Sequence, residues 1–323
     1  MDKVVLLADS KSNAWGFAEK IKDYIGQEHS VNVPLDGILT KEFRNGEFKP
    51  YVPDNMRRKR VYFIQDSTKD PCRWWIELQL MKDLLLSSST EEQTFVLPDL
   101  LWDRQDRKDK SHVPISARAL ANSLSFPHPI SRVISMDLHA AQIQGFYDAS
   151  LPYDNLYSFP AVISFLKDIK NIDLENLVVV SPDAGGVRRA KAFAKRAKSR
   201  YPIAFIYKDK DEDTGEILAT TFVGDVKDKR AIIIDDKIDS GNTQIEAAEL
   251  LKENGALELY AYGTHGLFTE GIEKFRKYFQ FIATSNTHNR IFKEGISIVD
   301  VSPVFAEAIY RAHTGESISD LFK

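Results

Sequence analysis

Apolar residues gather along this chain in short runs that do not alternate with polar ones. Val4–Ala8, Val61–Gln65, Thr94–Pro98, Arg132–Asp137, Leu177–Ser181, Ile203–Tyr207, Ala231–Ile234, Tyr260–Gly263, Phe281–Ser285 and Ile296–Val301 share this character. A strand that is apolar on both faces is buried on both, as in a parallel sheet between helices. Stretches with helical spacing lie between these runs: Trp15–Ile25, Trp74–Leu86 (with Ile76, Leu80 and Leu84 on one face), Pro114–Leu124, Ala161–Ile169 and Val304–Thr314. Strand and helix alternate in both halves, which predicts an α/β protein of two doubly wound domains. Leu151–Pro160 carries two prolines and no periodicity. The boundary is placed there, giving domains at 1–157 and 158–303.

The stretch Ala231–Thr243, AIIIDDKIDSGNT, has the most chemistry in it. An apolar strand is expected to end at Asp235 and Asp236, with Asp239 following a short turn. Ser240, Gly241, Asn242 and Thr243 then open a helix through Leu251, which Ser240 or Thr243 can cap and Asn254-Gly255 closes. Open α/β sheets bind ligands at the carboxyl ends of their strands. The backbone N–H groups of a helix start suit a phosphate. The carboxylates would repel that phosphate, so they face something else, such as sugar hydroxyls or a metal ion.

Other strings sit at other strand ends. Phe43-Arg44-Asn45-Gly46-Glu47 holds an Asn-Gly hairpin signal. As a plain turn it needs no function; as a site it offers Phe43 for ring stacking and Asn45 and Glu47 for polar contacts to a base. Arg104, Gln105 and Asp106 open a charged run just after a buried strand, where a guanidinium can stack on a base or pair with phosphate. His139 follows the strand ending at Asp137, which makes it a candidate metal or phosphate ligand. Asp183 stands at the next strand end, before Gly185-Gly186. Lys208 to Glu216 reads either as a hairpin with a charged tip or as a lid bringing Lys208 and Lys210 over a phosphate; local sequence does not decide. Trp74-Trp75 reads as core or subunit contact. Neither a GxGxxG nor a GxxxxGK[ST] loop occurs, so any ATP is bound by another device.

Composition narrows the class. The 323 residues include 43 Lys and Arg against 47 Asp and Glu, for a net charge of -4. With no basic excess, nucleic acid is not an expected partner. The single cysteine, Cys72, rules out an intrachain disulfide and a four-cysteine zinc site. Val4–Ala8 is too short for a membrane span or a signal segment. A cytoplasmic protein is expected.

Taken in order, RQDRKD from Arg104, PISARALANS to Ser123, MDLHAAQIQGFYD and DNLY, the Val178–Lys195 segment, the Asp235–Thr243 loop, THGLF and AEAIYRAHTGESISDLF resemble the ribose-phosphate pyrophosphokinases. The likeness runs over nearly the whole chain. It implies two domains of the type I phosphoribosyltransferase fold, with a C-terminal helix (304–323) returning to the first. It implies transfer of the β,γ-diphosphoryl group of ATP to the 1-hydroxyl of ribose 5-phosphate, with Mg2+ as cofactor and a homo-oligomer, a hexamer of paired dimers. By the same resemblance Phe43, Asn45, Glu47, Arg104, Gln105 and Asp106 match the ATP side. Asp235, Asp236, Asp239, Ser240, Gly241, Asn242 and Thr243 match the ribose 5-phosphate side. His139, Asp183, Asp235 and Asp236 match metal-linked positions, and Lys208, Lys210 and His139 match catalytic ones. Arg57, Ser317 and Ser319 match a regulatory phosphate or ADP site.

Some positions depart from the family pattern. Lys210 stands where the family has an arginine, and Asn55 and His112 replace a serine and an arginine of the regulatory site. Two rivals follow. A non-catalytic synthetase-associated subunit predicts eroded metal and loop residues, but His139, Asp183, Lys208, Asp235 and Asp236 are all retained. A base phosphoribosyltransferase would share only the Asp235–Thr243 loop.

Overall fold

The computed structural model describes residues 1, 3–210, 217–288 and 295–323, with residues 209, 210 and 217 described by backbone alone. The chain divides into two compact units. The first takes in Met1–Tyr157 and Val301–Lys323, with a short return that includes Thr287 and His288; the second begins at Ser158.

The first unit is built from β1 (Val4–Asp9), α1 (Ala14–His29), β2 (Leu35–Glu42), β3 (Phe48–Tyr51), β4 (Arg60–Ile64), α2 (Pro71–Ser87), β5 (Glu92–Leu97), α3 (Ser116–Ser125), β6 (Arg132–Met136) and β7 (Tyr153–Leu156). The second adds α4 (Phe159–Ser164), β8 (Leu177–Ser181), α5 (Val187–Ala197), β9 (Ala204–Lys210), β10 (Ile217–Val223), β11 (Arg230–Ile238), α6 (Asn242–Glu253), β12 (Glu258–Gly266), β13 (Phe281–Ser285) and β14 (Ile296–Val299). The last helix, α7 (Ser302–Thr314), belongs to the first unit.

Each unit holds a seven-stranded sheet, ordered β3-β2-β1-β4-β5-β6-β7 in the first and β10-β9-β8-β11-β12-β13-β14 in the second. The two orders are the same pattern. All pairs are parallel except the hairpins β2–β3 and β9–β10. The direction in which strands are added to the sheet reverses between β1 and β4, and again between β8 and β11. These are the switch points where such sheets open a crevice.

Burial on both sheet faces explains the unbroken apolar runs. In the first unit Val5, Leu7, Val61, Phe63, Phe95 and Leu97 pack on one face against Trp74, Leu78 and Met81 of α2 and Leu120 of α3. On the other, α1 and α7 lie together, their Phe17 and Phe305 rings meeting edge to face at 5.3 Å. In the second unit Val178, Val180, Ile233 and Ala261 pack with Ala247, Ala248 and Leu251 of α6. Phe159, the first residue of α4, meets Phe193 of α5 at 5.5 Å.

Three local expectations are corrected. The segment Leu151–Pro160 contains a strand, β7, which pairs only with β6. As an edge strand with half-buried Tyr153, Asp154 and Asn155 it has no apolar run to announce it. The helix expected over Ala161–Ile169 begins at Phe159 and loosens at Phe165–Ile169 into a π-helical turn. The third correction concerns β11 itself. It does not stop at the carboxylates but runs on to Ile238.

Candidate functional site

The β11 correction defines the site in the second unit. β8 pairs with β11 only as far as Ile233↔Val180, whereas β12 follows β11 out to Ile238↔Gly266. From Ile234 onward β11 therefore has a neighbour on one side and an opening on the other. Asp235 and Asp236 lie on this one-sided stretch, at the switch point.

Asp235 Oδ1 accepts the Asp236 amide at 2.9 Å, and its Oδ2 accepts Gln244 Nε2 at 2.8 Å. Asp236 Oδ1 accepts Arg189 Nη1 at 2.8 Å, and the same nitrogen lies 3.6 Å from Asp235 Oδ1. Arg189 comes from the first turn of α5, after the Gly185-Gly186 turn that follows Asp183. Asp183 Oδ1 accepts the Gly186 amide at 2.8 Å, and a Cβ at Gly186 would lie 2.6 Å from Ser181 Oγ. Burial, and then the adjacent Asp236 carboxylate, raise the Asp235 pKa well above the ordinary carboxylate range, with Arg189 opposing both.

The helix after the carboxylates starts without a side-chain cap. Gly241 is the N-cap residue of α6, so neither Ser240 nor Thr243 fills that role. Gly241 sits at φ 88, and a Cβ there would fall 2.0 Å from Phe275 Cζ; only glycine fits on both counts. The turn is braced from outside. Thr269 Oγ1 donates to Asp239 Oδ1 at 2.8 Å, and Lys274 Nζ donates to Asn242 Oδ1 at 2.8 Å. Lys208 on β9 pairs with Glu246 on the outer face of α6. Residues 204–210 and 217–223 form a hairpin, while 211–216 lie outside the described residues, as does the side chain of Lys210.

In the first unit, Phe43, Asn45 and Glu47 form the tip of the β2–β3 hairpin. The Phe43 amide donates to the Glu47 carbonyl at 2.8 Å, and the Glu47 amide to Asn45 Oδ1 at 3.2 Å. The Phe43 ring is exposed, with Lys41 Nζ 5.4 Å from its centre. Arg104 and Gln105 are exposed at the end of β5. Their loop is pinned by Trp102, which packs on Trp75 of α2, while Trp74 is core. Ser116 at the start of α3 donates to Gln105 Oε1. Asp106 Oδ2 accepts Gln142 Nε2 at 2.9 Å, and buried Asp103 accepts the His139 amide at 3.0 Å. The loops after β5 and β6 are thus tied together, which places Arg104, Asp106 and His139 on one rim. Ser317 and Ser319 face each other with hydroxyls 2.9 Å apart, and Arg311 Nη1 donates to the Ser317 carbonyl at 2.9 Å. Arg57 is exposed on the turn before β4, its amide donating to Asn55 Oδ1 at 3.0 Å.

The metal-linked residues are divided between the two units. Among the described residues no three His, Cys, Asp or Glu side chains converge as metal ligands. Asp235 and Asp236 are neighbours in the second unit, and His139 belongs to the first. Sequence reasoning also missed Arg189, Gln244, Thr269 and Lys274. For Arg189 a signal existed: a basic residue one turn after a Gly-Gly bend at a strand end.

The profile of the N-terminal domain of ribose phosphate pyrophosphokinase matches residues 6–126. That of the phosphoribosyl synthetase-associated domain matches residues 216–323. The phosphoribosylpyrophosphate synthetase of Mycobacterium smegmatis superposes with a TM-score of 0.84 at 28% identity, over 97% of this chain and 100% of that one. The chain belongs to the ribose phosphate pyrophosphokinase family. A purine phosphoribosyltransferase from Pyrococcus horikoshii matches 45% of this chain and 81% of its own, at 19% identity and a TM-score of 0.29. A hypoxanthine phosphoribosyltransferase from Staphylococcus aureus matches 44% of this chain and 73% of its own, at 13% identity and a TM-score of 0.27.

Proposed function

We infer that this chain is a ribose-phosphate diphosphokinase, which moves the β,γ-diphosphoryl group of ATP to the 1-hydroxyl of ribose 5-phosphate and releases AMP. The observation that carries the reading is the pair of buried carboxylates on the open side of β11, directly followed by an uncapped helix start. That order suits a ribose phosphate: hydroxyls against Asp235 and Asp236, and phosphate against the backbone N–H groups from Ser240 to Thr243.

In-line displacement at phosphorus asks a protein for positioning and charge neutralisation. In our reading Asp235 and Asp236 hold the ribose hydroxyls, while the turn from Asp239 to Thr243 fixes the 5-phosphate. Phe43, Asn45, Glu47, Arg104, Gln105 and Asp106 receive the nucleotide. Lys208 leaves Glu246 to meet the phosphoryl oxygens as the 1-hydroxyl attacks the β-phosphorus, the bond from that phosphorus to the AMP oxygen breaks and the hydroxyl proton passes to water. The family generally needs a divalent metal, and we assign Mg2+. The adjacent carboxylate oxygens of Asp235 and Asp236 fit it, as hard donors for an ion that is usually held by one or two carboxylates together with substrate phosphates. When bound, Mg2+ offsets charge on the phosphoryl oxygens. His139 and Asp183, with Asp235 and Asp236, are the residues proposed to meet it. The protein is proposed to work in the cytoplasm as a dimer-based oligomer, with Arg57, Ser317 and Ser319 as a regulatory phosphate or ADP site. No helix among the described residues is long and apolar enough to cross a membrane.

Mixing the protein with ATP, ribose 5-phosphate and Mg2+ and following products by phosphorus NMR tests the reading. AMP with a phosphoribosyl diphosphate signal is expected. ADP would sink the diphosphoryl transfer, and no turnover with phosphate present would favour a non-catalytic subunit. Lys208→Ala should lower kcat roughly a hundredfold while leaving ribose 5-phosphate affinity nearly intact. A normal kcat would take Lys208 out of the mechanism.

A further inference from the structure

We propose that Arg189 is the resident counter-cation of the Asp235–Asp236 pair, holding both carboxylates in place and keeping divalent cations off them until a phosphorylated substrate arrives. The inference rests on the reading of Asp235 and Asp236 given above.

Two adjacent carboxylates withdrawn from water are unstable unless a cation compensates them. Here the cation is built in. Arg189 Nη1 is 2.8 Å from Asp236 Oδ1 and 3.6 Å from Asp235 Oδ1. The side chains of Arg189 and Asp235 are 13% exposed and that of Asp236 is 7% exposed, so solvent screens the contact weakly. A guanidinium presents several donors in a fixed plane and can serve two acceptors at once.

The surrounding chain fixes where the guanidinium lies. Arg189 is anchored in the first turn of α5, and its Nη1 would lie 3.9 Å from a Cβ at Gly186, so it passes close to a backbone that carries no side chain there. Asp183, the other acid of this crevice, is turned to the Gly186 amide at 2.8 Å. Asp235 gives one oxygen to the Asp236 amide and the other to Gln244. An incoming metal ion would have to compete with these protein partners for the carboxylate oxygens.

Two cations that use the same carboxylates compete. Binding of one weakens the other, and the effect is reciprocal. Mg2+ also gives up its water shell reluctantly and is usually held by one or two carboxylates together with substrate phosphates. With Arg189 in place, the pair alone is a poor metal site. A nucleotide or sugar phosphate that brings its own anionic oxygens shifts that balance. Arg189 is thus a positioning residue that makes metal binding depend on substrate.

Mn2+ titrated into the substrate-free full-length protein, with free ion counted by electron paramagnetic resonance, tests this without any turnover. Mn2+ takes the same carboxylate and water ligands as Mg2+. Arg189→Met is expected to bind one Mn2+ at least tenfold more tightly than the unaltered protein, and Asp236→Asn in that background is expected to abolish the gain. Arg189→Lys keeps the charge in a compact form and should stay within a few-fold of the unaltered protein. It serves as the test if Arg189→Met does not fold: a lysine variant that binds Mn2+ tenfold more tightly would overturn the proposal. Equal Mn2+ affinity of Arg189→Met and the unaltered protein would overturn it too. Failure of the diphosphokinase assay leaves this titration readable, so the two ideas fail separately.

Discussion

The loops after β4 and β11 occupy equivalent places in two sheets of the same strand order, yet they are finished in opposite ways. After β4 comes Asp66-Ser67-Thr68-Lys69-Asp70. The Asp70 side chain accepts the amides of Cys72 and Arg73, and Pro71 fills the first helical position, so the start of α2 is already satisfied. Lys69 Nζ fills the crevice, 3.2 Å from Asp9 Oδ2 and 2.7 Å from Glu77 Oε2. Asp66 is spent on the Asn13 amide and on Thr68. After β11 the helix start has Gly241 and no side-chain cap, and the acids stand on an open strand edge. One switch point is closed by its own side chains, and the other is left with phosphate-sized backbone chemistry. The shared topology supplies the place, and both places hold an internal ion pair; the capping of the helix start is what separates them.

The sharpest way to break this comparison is Gly241→Ala. Left-handed strain of about 1–2 kcal/mol adds to overpacking against Phe275 of about 1–3 kcal/mol. Ribose 5-phosphate binding measured by isothermal titration should disappear. Retained binding would mean that the α6 start is not the cradle. Next in size is Lys69→Met, which leaves Glu77, only 2% exposed, with its charge unmatched. We expect about 3 kcal/mol of lost stability in urea unfolding. If the variant instead gained a phosphate site, the closed crevice would be a ligand site after all. The smallest effect is Asp70→Ala. Losing the cap should cost about 1 kcal/mol, read as a lower urea midpoint with kcat unchanged. A fall in kcat at equal stability would tie the first switch point to the chemistry.

The sequence made some of this legible for a clear reason. Asp235 to Thr243 are consecutive, so strand, acids and helix start could be read as one string. The end of β11 could not. An apolar run marks where a strand has neighbours on both sides, and β8 leaves β11 at Ile233. The stretch Asp235–Ile238 reads as a turn because only β12 still pairs with it. The β7 strand was hidden by the same rule at a sheet edge. Arg189 lies 47 positions from Asp236, and Thr269 lies 30 from Asp239. No local pattern links such pairs; only the strand order does. Lys208 was visible as a loop cation, but its partner Glu246 lies beyond two further strands, β10 and β11, in sequence.

The placement of α7 bears on how the protein is made. The first unit needs Val301–Lys323, and α7 covers α1 through Phe305 against Phe17 and Glu307 against His29. Ribosomes deliver the chain from its amino end, and most domains can close as they emerge. Here α1 must wait with Phe17 and His29 lacking their α7 partners, while the second unit is synthesised and free to fold. A stretch made later completes one made earlier. A nascent chain halted before Val301 would therefore hold a complete second unit and an incomplete first one, with the Phe17 side of α1 for a chaperone to guard.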